Sequence, residues 1–164
     1  MYKTWRNVIG QLNNYLTIVG KKTCQSSEKI ANLIIAVAAL GIGPNDLVND
    51  LKTFGFLFET LCIRDLRVFA DALNGEVYHY RDKEGQECDA VIHLRNGKYS
   101  LVEIKLGGDR LIEEGANSLK AMEAKIDTDK MNAPVFLMVL TGTGDYAYRR
   151  QDGVYVVPIG CLKD

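Results

Sequence analysis

The chain lacks the patterns of a zinc or disulfide scaffold. Its four cysteines, Cys24, Cys62, Cys88 and Cys161, are scattered without a Cys-x-x-Cys pair, and its two histidines do not stand at zinc-finger spacing. Neither a zinc ribbon nor a disulfide framework fits that spacing, so reduced thiols and a cytoplasmic location are expected. An excess of charge of one sign is also missing, since 20 Lys and Arg against 21 Asp and Glu leave a net charge of -1. That balance gives no global attraction for nucleic acid, and DNA binding would need a local basic patch. The longest apolar run, Ile30 to Ile42, contains Asn32 and Gly41. It is well short of the ~20 residues that span a bilayer, so a buried helix and no membrane partner are expected. No basic stretch leading into an apolar, cleavable segment follows Met1, and secretion is not expected.

What the chain does have is enough apolar residues for a core: 47% of 164 residues are hydrophobic, within the range of one domain. We divide it into a poorly defined N-terminal segment, residues 1–29, and a domain over residues 30–164 that shows no internal repeat or linker. Gly20-Lys21-Lys22-Thr23 has the look of the end of a phosphate-binding loop. Tyr15 stands where that motif needs its first Gly, and Lys22 where it needs the Mg²⁺-binding hydroxyl, so no nucleotide site is expected there.

Gly41-Ile42-Gly43-Pro44 stops the helix begun at Ile30, and Asn45 or Asp46 is expected to cap a short helix through Leu51. Phe54 to Leu73 has helical periodicity, with Thr60, Arg64, Arg67 and Asp71 on one side. Glu59 does not join them. At about 100° per residue it falls on the stripe of Gly55, Ile63, Leu66 and Ala70, a costly setting for a carboxylate without a partner. Asn74-Gly75 closes the helix, Glu76 to Arg81 alternates as a strand, and Asp82 to Gly85 makes a turn. Beyond the hairpin discussed next, Asp109 to Ile126 reads as an amphipathic helix whose core candidates are Leu111, Ile112, Leu119, Met122 and Ile126. Ala133 to Leu140 reads as a strand buried on both faces, and strands at Tyr146 to Arg149 and Val154 to Ile159 as a terminal hairpin.

The centre of the chain is the stretch Glu87 to Leu106, two apolar strands carrying Asp89 and Glu103, with Lys105 on the face of Glu103. A two-residue Asn96-Gly97 turn would put the two acids on opposite faces. A three-residue loop, Arg95-Asn96-Gly97 with Gly97 left-handed, pairs Asp89 directly with Glu103, and we expect this register. Two carboxylates on adjacent strands and a third acid from a helix form an oxygen-lined site suited to Mg²⁺ or Mn²⁺. Lys105 could orient a water or a phosphate beside it, which is equipment for phosphodiester hydrolysis. The competing reading is an acid-x-Lys strand on a solvated sheet face, a common arrangement that the odd setting of Glu59 argues against.

The order of elements, with Glu59 in a helix ahead of Asp89-x13-Glu103-x-Lys105, resembles the PD-(D/E)XK nuclease superfamily, which includes archaeal Holliday-junction resolvases and restriction enzymes. The wording from about Ala36 to Asp164, including AVAALGIGP, FGFLFE, RDLRV, GEVYHYRD, CDAVIHL, EIKLGG, IEEGA and GVYVVPIGCLKD, resembles the C-terminal domain of unknown function of bacterial AAA-type ATPases. The resemblance implies an α/β (α+β) fold, a restriction-endonuclease-like αβββαβ core with a mixed sheet flanked by helices and a C-terminal β hairpin. It implies Asp89 and Glu103 as metal ligands, Lys105 as the catalytic lysine and Glu59 as a helix acid contacting the metal through water. Cys88 stands where the superfamily has Pro. The P-loop and winged-helix-like segments of those ATPases have no counterpart here, so a fragment or a stand-alone version is expected. DNA, an ATPase domain and a second copy of the chain are the partners so implied.

Other residues draw structural readings. His79 and His93 are expected as half-exposed strand residues, Arg149-Arg150 as a solvated turn, and Trp5, Tyr78, Tyr80 and Tyr99 as packing residues.

Overall fold

The computed structural model describes Gly41 and residues 43–162. The expected helix from Ile30, the Gly20 to Thr23 stretch, Trp5 and Cys24 lie outside the described residues. The elements are α1 (Pro44–Asn49), α2 (Leu51–Ala72), β1 (Gly75–Arg81), β2 (Glu87–Leu94), β3 (Tyr99–Lys105), α3 (Asp109–Lys125), β4 (Leu137–Thr141), β5 (Tyr148–Arg149) and β6 (Tyr155–Pro158), then a 3₁₀ turn at Ile159–Cys161. The strands form one six-stranded sheet in the order β1-β2-β3-β4-β6-β5. β1, β2 and β3 run antiparallel, β4 joins β3 and β6 in parallel, and β5 closes the sheet antiparallel to β6. This is the expected αβββαβ order with a mixed sheet and a C-terminal hairpin.

Local chemistry sets the boundaries, and several differ from expectation. Asp46 lies inside α1 and its Oδ2 accepts the Gly43 N–H at 2.7 Å, so Gly43 rather than Asn45 or Asp46 occupies the cap position. Asp50 caps α2 by accepting the Thr53 N–H at 3.1 Å, which starts that helix at Leu51 instead of Phe54. Asn74, in the left-handed region at φ 55°, turns the chain into β1. The strand expected from Ala133 begins only at Leu137. Val135 is still exposed, although its N–H already donates to Tyr99 O at 2.8 Å.

The sheet has a core on each face. Phe58, Cys62 and Leu66 of α2 pack with Ala90, Val102, Ile104, Met138 and Leu140 on one side. Ala116, Leu119 and Met122 of α3 pack with Cys88, Tyr99, Leu101, Leu137, Val139 and Val154 on the other. β3 and β4 are therefore covered on both faces, as their buried residues require. Leu111, Ile112 and Ile126 are only half-buried, while Gly115 and Ala116 join the expected Leu119 and Met122 on the buried face of α3.

The terminal hairpin corrects one expectation. Arg150 is not solvated: only 20% of its side chain is exposed, and it pairs with Glu113 at 2.7 Å and Asp152 at 2.9 Å, joining the last turn to α3. Arg149 lies over the Tyr155 ring at 5.4 Å from its centroid. Tyr78 and Tyr80 are also not packing residues, being 52% and 45% exposed, whereas Tyr99 is buried and donates to Asn132 O at 2.6 Å.

Candidate functional site

The β2–β3 turn positions the site. Leu94 N–H donates to Lys98 O at 2.8 Å, Gly97 N–H to Leu94 O at 2.9 Å, and Gly97 adopts φ 80°. The loop is thus Arg95-Asn96-Gly97. The pairs His93↔Tyr99 through Ala90↔Val102 follow, and one step further sets Asp89 beside Glu103, as the sequence indicated.

At that step β2 bulges against its other neighbour, β1. Tyr78 pairs with Val91 and Tyr80 with Cys88, so Asp89 and Ala90 together lie opposite His79. Cys88 and Val91, three residues apart, both pack in the α3-side cluster, which an unbulged strand would forbid. The bulge frees the Asp89 side chain, and its Oδ2 accepts the Ile104 N–H at 2.7 Å. A carboxylate thereby takes a backbone donor of β3 and stays at the strand seam.

Three of the four expected residues come together there. Lys105 Nζ lies 2.7 Å from Glu103 Oε2 and 3.7 Å from Asp89 Oδ2. Glu103 is only 4% exposed, and its other oxygen accepts the Ser118 hydroxyl of α3 at 3.2 Å. Glu59, half-buried on α2, stands close enough to feel the charges of Asp89, His79 and Lys105. Among the described residues no group of three or more His, Cys, Asp and Glu forms a metal cage. His79 and His93 are exposed on β1 and β2, and His79 faces the bulge.

The electrostatics show an excess of negative charge. Desolvation pushes the Glu103 carboxyl above its ordinary range and Asp89 pushes it further, with Lys105 and Ser118 opposing. Desolvation likewise raises Glu59, followed by the charge of Asp89. For Lys105, desolvation pulls downward but is outweighed by the hydrogen bond and charge of Glu103 and by Asp89 and Glu59, so its ammonium is also raised. Burial is thus the main cause of the raised carboxyls, with Asp89 second, whereas the raised Lys105 reflects the acids around it.

Sequence reasoning missed Gly115 and Ser118. A Cβ at Gly115 would stand 3.4 Å from Lys105 Cγ, 3.5 Å from Glu103 Cβ and 3.3 Å from Val139 Cγ2, so α3 lies directly on the site at this glycine. Ser118 one turn on supplies the hydroxyl. Their spacing of three along one helix face was the available signal.

A mixed α/β domain with a desolvated acid–lysine seam beneath a helix is the class these features define. The family model described as Domain of unknown function (DUF4143) matches residues 54–162, more than half of the chain, and the chain belongs to that family. No curated protein and no solved structure matches it. No helix among the described residues is long and apolar enough to cross a membrane.

Proposed function

We propose that this domain hydrolyses phosphodiester bonds in DNA as a PD-(D/E)XK-type nuclease, with Asp89, Glu103, Lys105 and Glu59 as its working residues. The observation that supports it is the meeting of two carboxylates and one ammonium at a bulged strand seam, Lys105 Nζ lying 2.7 Å from Glu103 and 3.7 Å from Asp89. Hard oxygen donors in that pairing fit Mg²⁺ or Mn²⁺, ions that are held by one or two carboxylates and otherwise by water and substrate oxygens. Asp89 and Glu103 would hold the ion, and the uncompensated charge that includes Glu59 favours its entry. When bound, such an ion supplies a Lewis acid for a phosphoryl oxygen and lowers the pKa of a water. The Lys105 ammonium, kept protonated by its acids, is suited to binding a phosphate oxygen. The buried Glu103 anchors that ammonium and limits the water around it.

The test is incubation of the chain with branched, duplex and single-stranded DNA in Mg²⁺ or Mn²⁺. Cleavage is expected to fall by about a hundredfold or more in Glu103→Ala and in Lys105→Ala, the scale of removing a group that acts on the reacting phosphate. Cleavage that survives both substitutions unchanged rejects the reading.

One observation favours a second reading, a catalytically weak or inactive nucleic-acid-binding or regulatory module of an AAA-type ATPase. Lys105 already satisfies Glu103, and no three-ligand cage forms among the described residues. Calorimetric titration with Mn²⁺ separates the two: binding that depends on Glu103 supports the enzyme, and its absence supports the module.

A further inference from the structure

We infer that Ser118 is a positioning residue, whose hydroxyl holds Glu103 Oε1 so that Oε2 is presented to the Lys105 ammonium. Three observations meet in this assignment. Ser118 Oγ donates to Oε1 at 3.2 Å, while Oε2 lies 2.7 Å from Lys105 Nζ, so the two oxygens of one carboxylate are divided between two donors. Glu103 is 4% exposed, and a buried carboxylate with one oxygen released would turn about its terminal torsion or admit water. At Gly115, one turn before Ser118, a Cβ would stand 3.5 Å from Glu103 Cβ, so α3 lies in van der Waals contact with the strand at this point and a serine, the shortest hydroxyl side chain, reaches that oxygen.

The alternative, that Ser118 merely satisfies itself on a helix, would have its hydroxyl donate to a carbonyl one turn back, as Thr60 does to Phe56 O at 2.9 Å on α2. Ser118 instead reaches across to another element, 15 residues away in sequence. With Oε1 fixed, Glu103 has one orientation, and the ammonium of Lys105 has one place beside Asp89. The consequence for catalysis rests on the nuclease reading above, but the positioning itself does not.

The experiment uses the full chain labelled with ¹⁵N-lysine. A side-chain ammonium gives a resolved ¹H–¹⁵N signal near neutral pH only when a hydrogen bond slows its exchange with water, so Lys105, assigned by its loss in Lys105→Arg, is expected to be visible. In Ser118→Ala that signal is expected to disappear with no change in the backbone amide pattern beyond α3 and β3, and in Ser118→Thr, which keeps a hydroxyl, to return. In parallel, Ser118→Ala is expected to weaken Mn²⁺ binding by about tenfold, the scale for residues that orient metal ligands. A Lys105 signal that is missing from the unsubstituted chain, or that persists in Ser118→Ala, overturns the inference. A chain with the expected ammonium behaviour that neither binds Mn²⁺ nor cleaves DNA keeps the positioning role and rejects the nuclease reading.

Discussion

Burial governs the chemistry of single residues in this molecule. The Cys62 thiol is pushed up to about 12 by desolvation first, with the charges of Asp65 and Glu59 adding to it, and Cys88 is pushed up to about 12, again chiefly by desolvation. Both are fully buried thiols held in the protonated form, which is the unreactive one, whereas Cys161 is only half-buried. Iodoacetamide at pH 8 is therefore expected to label Cys161 in the folded chain and to reach Cys62 and Cys88 only after unfolding. Peptide mapping that finds either labelled as fast as Cys161 would refute this. Gly115 is a second case where a missing side chain matters. Gly115→Ala gains up to about 1 kcal/mol of helix propensity but brings a Cβ to 3.3 Å from Val139 Cγ2, a tight contact, while Lys105 Cγ at 3.4 Å and Glu103 Cβ at 3.5 Å stay at ordinary van der Waals distance. A net loss of no more than about 1 kcal/mol in urea unfolding is expected, from the contact with Val139 alone. A gain in stability would show that Val139 or α3 gives way at no cost.

At the scale of elements, the β2–β3 hairpin carries the site, and its turn can be tested apart from it. Gly97 holds φ 80°, and a Cβ there would meet nothing within 4 Å. Gly97→Ala therefore isolates the cost of left-handed backbone, about 1 kcal/mol. A cost near zero would mean the turn can adopt another geometry. This register was legible from the sequence because Asn96-Gly97 marks the turn and the alternation around Asp89 and Glu103 allows only one loop length if the acids are to meet. The out-of-place charge of Glu59 was legible too, since a 3.6-residue period exposes a carboxylate on an apolar stripe. The bulge was not. It arises because both Cys88 and Val91 must reach the cluster under α3, a demand made by tertiary packing and invisible in β2 alone. Ser118 was hidden for a similar reason: within an amphipathic helix a serine reads as a solvated residue until the strand beneath it is known. The early start of α2 and the late start of β4 depend on the Asp50 cap and on where the chain after Pro134 joins β3, features that apolar periodicity does not encode.

For the molecule as a whole, the site opposes the usual effect of acid. Glu103 and Glu59 bind their protons more tightly folded than unfolded, so the stability linked to them is fully present below their unfolded pKa and is lost as pH rises through the raised folded values. Lowering the pH from neutrality towards the ordinary carboxyl range should therefore strengthen the fold. Asp82 and Asp152 act in the other direction. In Asp82, backbone hydrogen bonding led by Gln86 lowers the carboxyl; in Asp152, desolvation raises it but is outweighed by Val154 and Arg150. Both contribute stability above the unfolded value that is lost as pH falls through the lowered folded one. The two sets predict a maximum: urea midpoints rise as pH drops from about 7, then fall once the pH passes below the ordinary Asp range near 4. Glu103→Gln removes one titrating group and relieves Asp89 of a like charge. The rise between neutrality and the maximum should then flatten, while the acid-side fall, set by Asp50, Asp82 and Asp152, none of which is shifted by the seam residues, stays where it was. If the variant instead moves the acid side and leaves the neutral side unchanged, the raised carboxyl is not that of Glu103, and the account of it as a desolvated acid beside Asp89 fails with it.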